Sequence, residues 1–143
     1  MNTTTMRTMI AAAALMVAAG SASAQTFKAE IPMAFRVSNK TMAPGTYDLR
    51  LTRAASGMML VVYNRTTRTS AALVPSVTAD PPKAWRAAGD AKIAFACTDG
   101  ACSLRELWDG FGTDAYRFPA PRSAGTLVAQ RSEFLTLSMV RTH

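Results

Sequence analysis

Histidine is nearly missing from this chain, with a single residue, His143, at the very end of 143. A hydrolase triad needs an imidazole or a substitute base held beside its nucleophile, so a terminal histidine leaves serine-nucleophile chemistry without support. Zinc loses its usual nitrogen ligands for the same reason, and no metal site is expected. No glycine-rich loop opens a helix to cradle phosphates, which removes the common nucleotide sites, and no cofactor is implied. Cysteine is limited to Cys97 and Cys102, and Cys-x4-Cys is neither a redox Cys-x-x-Cys nor half of a zinc site. Acidic residues are few, 9 against 16 Lys and Arg, for a formal net charge of +7. The arginines are scattered from Arg36 to Arg141 rather than gathered on one stripe beside aromatics, so nucleic acid is not expected as a partner. A solvated basic surface is the simplest account of that charge, with attraction to an anionic polymer or another envelope component as the functional one.

The beginning of the chain is an address. Arg7 supplies a positive start, Met9 to Gly20 is uncharged and apolar, and Ala22-Ser23-Ala24 is a small-residue cleavage site before Gln25. The apolar run falls well short of the roughly 20 residues that span a bilayer, and no later run approaches that length. Residues 1–24 are therefore read as a cleaved signal peptide, and the mature chain is expected to carry no transmembrane segment. Residues 25–143 form a single domain, periplasmic or secreted.

Export accounts for the cysteines, because disulfides persist in oxidising compartments. Asp99-Gly100 is a strong signal for a two-residue hairpin turn, which needs positive φ at both central positions. Centred there, the register pairs Thr98 with Ala101, Cys97 with Cys102, Phe95 with Leu104 and Ile93 with Glu106. Ile93, Phe95, Cys97, Cys102 and Leu104 then share one face, and a cross-strand Cys97–Cys102 disulfide is expected.

Elsewhere, Phe27 to Val37 alternates throughout and reads as one long strand, at an edge or bent at Pro32, which cannot donate to a ladder. Ser38 to Gly45 is turn chemistry. Tyr47, Leu49 and Leu51 mark the next strand, Ser56-Gly57 turns, and Met58 to Tyr63 is an apolar run expected to be covered on both faces. Ser70 to Thr78 is a further strand, closed at Pro75 or soon after. Ala79 to Asp90 reads as a loop, Asp109-Gly110-Phe111-Gly112 as a turn, and Phe118 to Arg122 as extended. Ser123 to Ser132 fits one helical turn or a short strand, and Glu133 to Val140 a final strand. The fold expected is all-β, about seven antiparallel strands in a meander-rich small sandwich or partly open barrel.

The run Ile31-Pro32-Met33-Ala34-Phe35-Arg36-Val37-Ser38-Asn39-Lys40-Thr41-Met42-Ala43-Pro44-Gly45-Thr46-Tyr47 resembles the N-terminal signature of a family of small secreted bacterial all-β proteins of unknown function. Leu104 to Trp108 is similar to that family's strand ending in tryptophan. The cysteine pair and the Pro-containing region after Phe118 depart from its pattern. The resemblance implies export and an all-β fold, and brings no catalytic residues with it.

The function expected is a non-enzymatic exported module that binds a partner or surface through loops or an exposed strand edge. Trp85, flanked by Lys83 and Arg86, is the candidate anchor. The competing account has Trp85 folding back to bury its ring, and it is preferred because exposed tryptophan is a solubility hazard. An alternative function is a small barrel lined by Met33, Met58, Met59, Leu60, Phe95 and Trp108 around an apolar ligand, although such residues are ordinarily core. A second is a carboxylate-dependent hydrolase using Glu106, Asp109 and Asp114, ranked below a turn-forming role for those acids. Asn39-Lys40-Thr41 and Asn64-Arg65-Thr66 match a glycosylation sequon and also fit plain turns. An empty apolar interior would favour the barrel, and a filled core with an unpaired edge the binding module.

Overall fold

The alternation that begins at Phe27 builds two strands where one was expected, because Pro32 interrupts the ladder and the chain changes sheet there. The computed structural model describes residues 24–121 and 132–142. Almost all of the signal peptide, most of the 123–132 segment and His143 lie outside the described residues. In chain order the elements are β1 (Gln25–Ile31), β2 (Phe35–Val37), β3 (Lys40–Met42), β4 (Gly45–Ala54), β5 (Gly57–Asn64) and β6 (Ser70–Leu73). There follow β7 (Val77–Ala79), α1 (Lys83–Ala88), β8 (Lys92–Thr98), β9 (Ala101–Trp108), β10 (Ala115–Arg117), β11 (Glu133–Ser138) and β12 (Val140–Thr142). The first sheet runs β12-β1-β4-β5-β6. The second runs β11-β8-β9-β10-β7, with β2 also on β9 and β3 on β2. The result is an all-β sandwich, not a closed barrel. Its pairings are antiparallel except β2 on β9, which is parallel.

Among the described residues the chain passes between sheets at four places: β1 to β2, β3 to β4, β6 to β7 and β11 to β12. Pro32, Pro44 and Pro75 stand in the first three gaps and Met139 in the fourth. A proline cannot continue a ladder, so each one ends pairing where the chain must turn the corner. The side-chain alternation survives the corners because both inner faces look into one core. Phe27, Ile31, Phe35 and Val37 are all buried although they sit in different sheets. Phe35 is central, meeting Tyr47 and Phe95 edge-on at 5.1 Å each. Each such ring contributes about 1.5–3 kcal/mol through burial. The Tyr47 hydroxyl donates back to the Ala43 carbonyl, fixing the corner that Pro44 opens.

Several expectations need correction. Among the described residues twelve short strands replace about seven, chiefly because the Phe27–Val37, Ser70–Thr78 and Glu133–Val140 runs each divide between two sheets. Ser38 to Gly45 is not all turn: Ser38 and Asn39 form a two-residue loop, Ser38 at φ 53°, and β3 follows it. Met58 to Tyr63 is covered on one face only. Leu60 and Val62 enter the core while Tyr63 is exposed, as an antiparallel strand with one wet face requires. Ala79 to Asp90 is not a plain loop, since α1 sits within it, bounded by Pro82 and by Gly89, whose N–H donates to the Trp85 carbonyl at 3.1 Å.

The hairpin β8–β9 has the expected turn, with φ of 50° at Asp99 and 79° at Gly100. Its register holds from Thr98–Ala101 through Phe95–Leu104. It then shifts at a bulge, so Ile93 pairs with Leu107 rather than Glu106. The extra residue is what the sequence Leu104-Arg105-Glu106-Leu107 demands: strict alternation would aim Glu106 inward, whereas the bulge buries both leucines.

Candidate functional site

The structure separates the residues that the sequence grouped. Cys97 and Cys102 are joined as a disulfide across the hairpin, with Cα atoms 4.0 Å apart. Trp85 is only 8% exposed and packs with Ala94, Trp108 and Ala115 on the outer face of the second sheet. The folded-back arrangement therefore describes it, and α1 is the cover that brings it there. Its neighbours stay in solvent. Lys83 is exposed, and Arg86 donates to the Thr113 carbonyl at 3.3 Å and lies 3.6 Å from Asp80.

The three acids have distinct environments. Glu106 lies on the outer face of the second sheet, its side chain largely buried and 3.7 Å from the Arg117 Nε. Burial raises its carboxyl above the ordinary range, and the nearby Arg117 opposes that only in part. Asp109 Oδ1 accepts from the Phe111 and Gly112 amides at 2.9 and 2.7 Å, which is turn work. Gly110 belongs to the same turn, at φ 85°, where a Cβ would meet the Ala91 amide nitrogen at 3.0 Å. Asp109 and Asp114 both act on Tyr116, whose hydroxyl is held above its usual range first by burial.

The six candidate ligand-lining residues are divided among three places. Leu60 and Phe95 are fully buried in the main core, with Met33 and Met58 packed against it. Trp108 belongs to the separate cluster under Trp85. Met59 is half-buried on the outward side of β5. The two sequons also part company. Asn39 is exposed in its loop, while Asn64 has no exposed surface, and its Oδ1 accepts from the Thr66 and Thr67 amides at 2.8 and 3.0 Å.

The feature that sequence reasoning did not place is the outer edge of β11. Among the described residues β11 pairs with β8 alone. It is fastened there at both ends. Lys92 Nζ donates to Ser138 Oγ at 2.7 Å, and Thr98 and Ser132 hydroxyls meet at 3.0 Å. Phe134 is 67% exposed on the outer face. Leu135, opposite Phe95 and so aimed toward the core, is still 38% exposed. The remaining edges are shorter or blunted. β3, β7 and β12 have three residues each. On β6, Lys40 Nζ donates to the Ser70 carbonyl at 3.0 Å and Ser38 Oγ to the Ala72 carbonyl at 3.5 Å. β11 has six residues, and Glu133 is its only charge. The alternation of Leu135 and Leu137 was readable in the sequence, but an edge is a property of sheet order, which no local pattern carries.

No helix among the described residues is long and apolar enough to cross a membrane. Comparison with protein-family models, curated proteins and solved structures finds no match to this chain.

Proposed function

We propose that this chain is an exported, non-enzymatic β-module that recognises a partner protein by strand addition along β11. The observation that carries the reading is a six-residue edge, apolar and fastened to the sheet at both ends, in a molecule whose other edges are short or covered. Natural sheets blunt exposed edges with charge, proline or shortness, because unpaired backbone groups and apolar side chains template association. An extended segment laid on such an edge gains ladder hydrogen bonds, and alternate side chains give it specificity. Because β11 is already ordered, little further ordering opposes binding. The disulfide, the leader-like start and the resemblance of the Ile31–Tyr47 run to small secreted bacterial proteins support an exported setting.

Photocrosslinking tests this. A photoreactive residue at Thr136 should capture a protein in the native envelope, whereas one at Lys28, on the far sheet, should not. Phe134→Lys should abolish the Thr136 product without unfolding the chain. Absence of a protein product from Thr136, or an undiminished one in the Phe134→Lys background, would refute strand addition here.

A further inference from the structure

The backbone groups on the free side of β11 belong to alternate residues, and the neighbouring ladders fix which. Cys97 and Cys102 stand with Cα atoms 4.0 Å apart. That is the close spacing of an antiparallel ladder, whose facing residues exchange no backbone hydrogen bonds. The Cys97 amide and carbonyl therefore point the other way, toward Glu133, its partner on β11. The β8–β11 ladder runs without a shift from Cys97–Glu133 to Lys92–Ser138, so Glu133, Leu135 and Leu137 all bond to β8. Met139 continues the same parity, its N–H donating to the Ala91 carbonyl at 2.9 Å. Phe134, Thr136 and Ser138 are left with their amides and carbonyls aimed off the sheet.

These three residues make the edge self-complementary. A two-fold axis through Thr136, perpendicular to the sheet, brings β11 against a second β11 antiparallel, inner face beside inner face. Thr136 then pairs with its own copy and Phe134 with Ser138 of the second copy, which uses the outward backbone groups of both strands. Leu135 stands opposite Leu137 of the second copy at the close, non-hydrogen-bonded spacing, where side chains touch. Leu135 is the residue aimed toward the core yet left 38% exposed, and this supplies the neighbour it lacks. Glu133, the only charge on the strand, goes to the two far ends, about 20 Å from its copy and beyond the reach of unscreened repulsion. A slip of one residue would set inner side chains against outer ones. A slip of two toward the start of the strand would press Glu133 against Leu137.

We propose that the strand received by β11 is β11 of a second copy, antiparallel and centred on Thr136, in a two-fold dimer whose second sheets run on through the interface. This rests on strand addition at β11 and names the partner. Each copy covers the other's edge, so the exposed apolar strand is blunted by its own duplicate.

Cysteine crosslinking of the purified exported protein tests the register. Thr136→Cys should link to itself under mild oxidation, because the two Cα atoms stand about 5.5 Å apart in a hydrogen-bonded pair, within disulfide range. Phe134→Cys should stay unlinked, since its copy lies about 13 Å away along the strand. Equal linkage of both, or none at Thr136→Cys, would overturn the register. Sedimentation equilibrium of the wild type, which needs no variant to fold, should show monomer and dimer below about 0.5 mM, a one-strand interface being small and weak. Thr136→Lys sets two cations opposite each other and should weaken the dimer by about fivefold or more. Thr78→Lys, exposed on β7 at the other side of the same sheet, should change it by less than about twofold. A monomer at every concentration, or equal weakening by both lysines, would refute the second copy. Strand addition would survive that result only if the Thr136 photocrosslink joined this chain to a protein of different mass.

Discussion

Trp85 and Glu106 show how much depends on single residues at the outer face of the second sheet. Trp85→Ala empties the space between α1 and the cluster of Ala94, Trp108 and Ala115. Its cost should be about 2–4 kcal/mol, read as a lower midpoint in chemical denaturation. An unchanged midpoint would mean that α1 adds nothing to stability. Glu106 makes a prediction about pH. Because burial raises its carboxyl above the ordinary carboxylate range, the folded chain keeps the proton where the unfolded chain has begun to lose it. Stability from this group is thus full below about pH 4.5 and lost as pH rises through the folded value. Glu106→Gln should accordingly be more stable than wild type at neutral pH, with the advantage vanishing in acid. Paired denaturation curves at the two pH values measure it, and an advantage that grows in acid would contradict the assignment. At this scale the sequence was partly readable. A tryptophan that would be a solubility hazard if exposed invited a buried reading, whereas Asn64 looked like any sequon, because its burial depends on the approach of Ala43 and Gly45 at the β3–β4 corner.

The hairpin from Lys92 to Trp108 was the most legible element, because turn chemistry, alternation and the cysteine spacing agreed on one register near the turn. Replacing both cysteines by serine should cost about 2 kcal/mol, the short closed loop limiting the entropy a crosslink removes. Unreduced peptide mapping should recover Cys97 linked to Cys102, and thermal melts of the double variant should show the loss. Away from the turn the reading failed at one residue, Arg105. Period-2 counting cannot foresee a bulge, although the inward-facing glutamate it required was the discordant sign. The helix was missed for a different reason. Its six residues are too few for periodicity, yet Pro82 and Gly89 were boundary signals in plain sight. The breaks at Pro32 and Pro75 were anticipated as bends or ends; that the chain leaves one sheet for another there is a long-range fact that neither proline encodes.

For the whole molecule, composition and turn spacing were enough to specify an all-β chain, while the order of strands came from pairings between residues far apart in sequence. The leader reading predicts an intact mass for exported material that begins at Gln25, and retention of Met1 to Ala24 would contradict it. The four passages between sheets have a further consequence for motion. In a sandwich joined once, one sheet can fray while the other persists. Here both ends of the first sheet, through β6 and β12, and two interior passages are tied covalently to the second. Peeling either sheet away pulls strands out of its partner. Amide hydrogens of β4 and β8 should therefore escape to deuterium through one shared opening event, with the same free energy and the same sensitivity to denaturant. Two separate exchange plateaus, one for each sheet, would show that the passages behave as hinges.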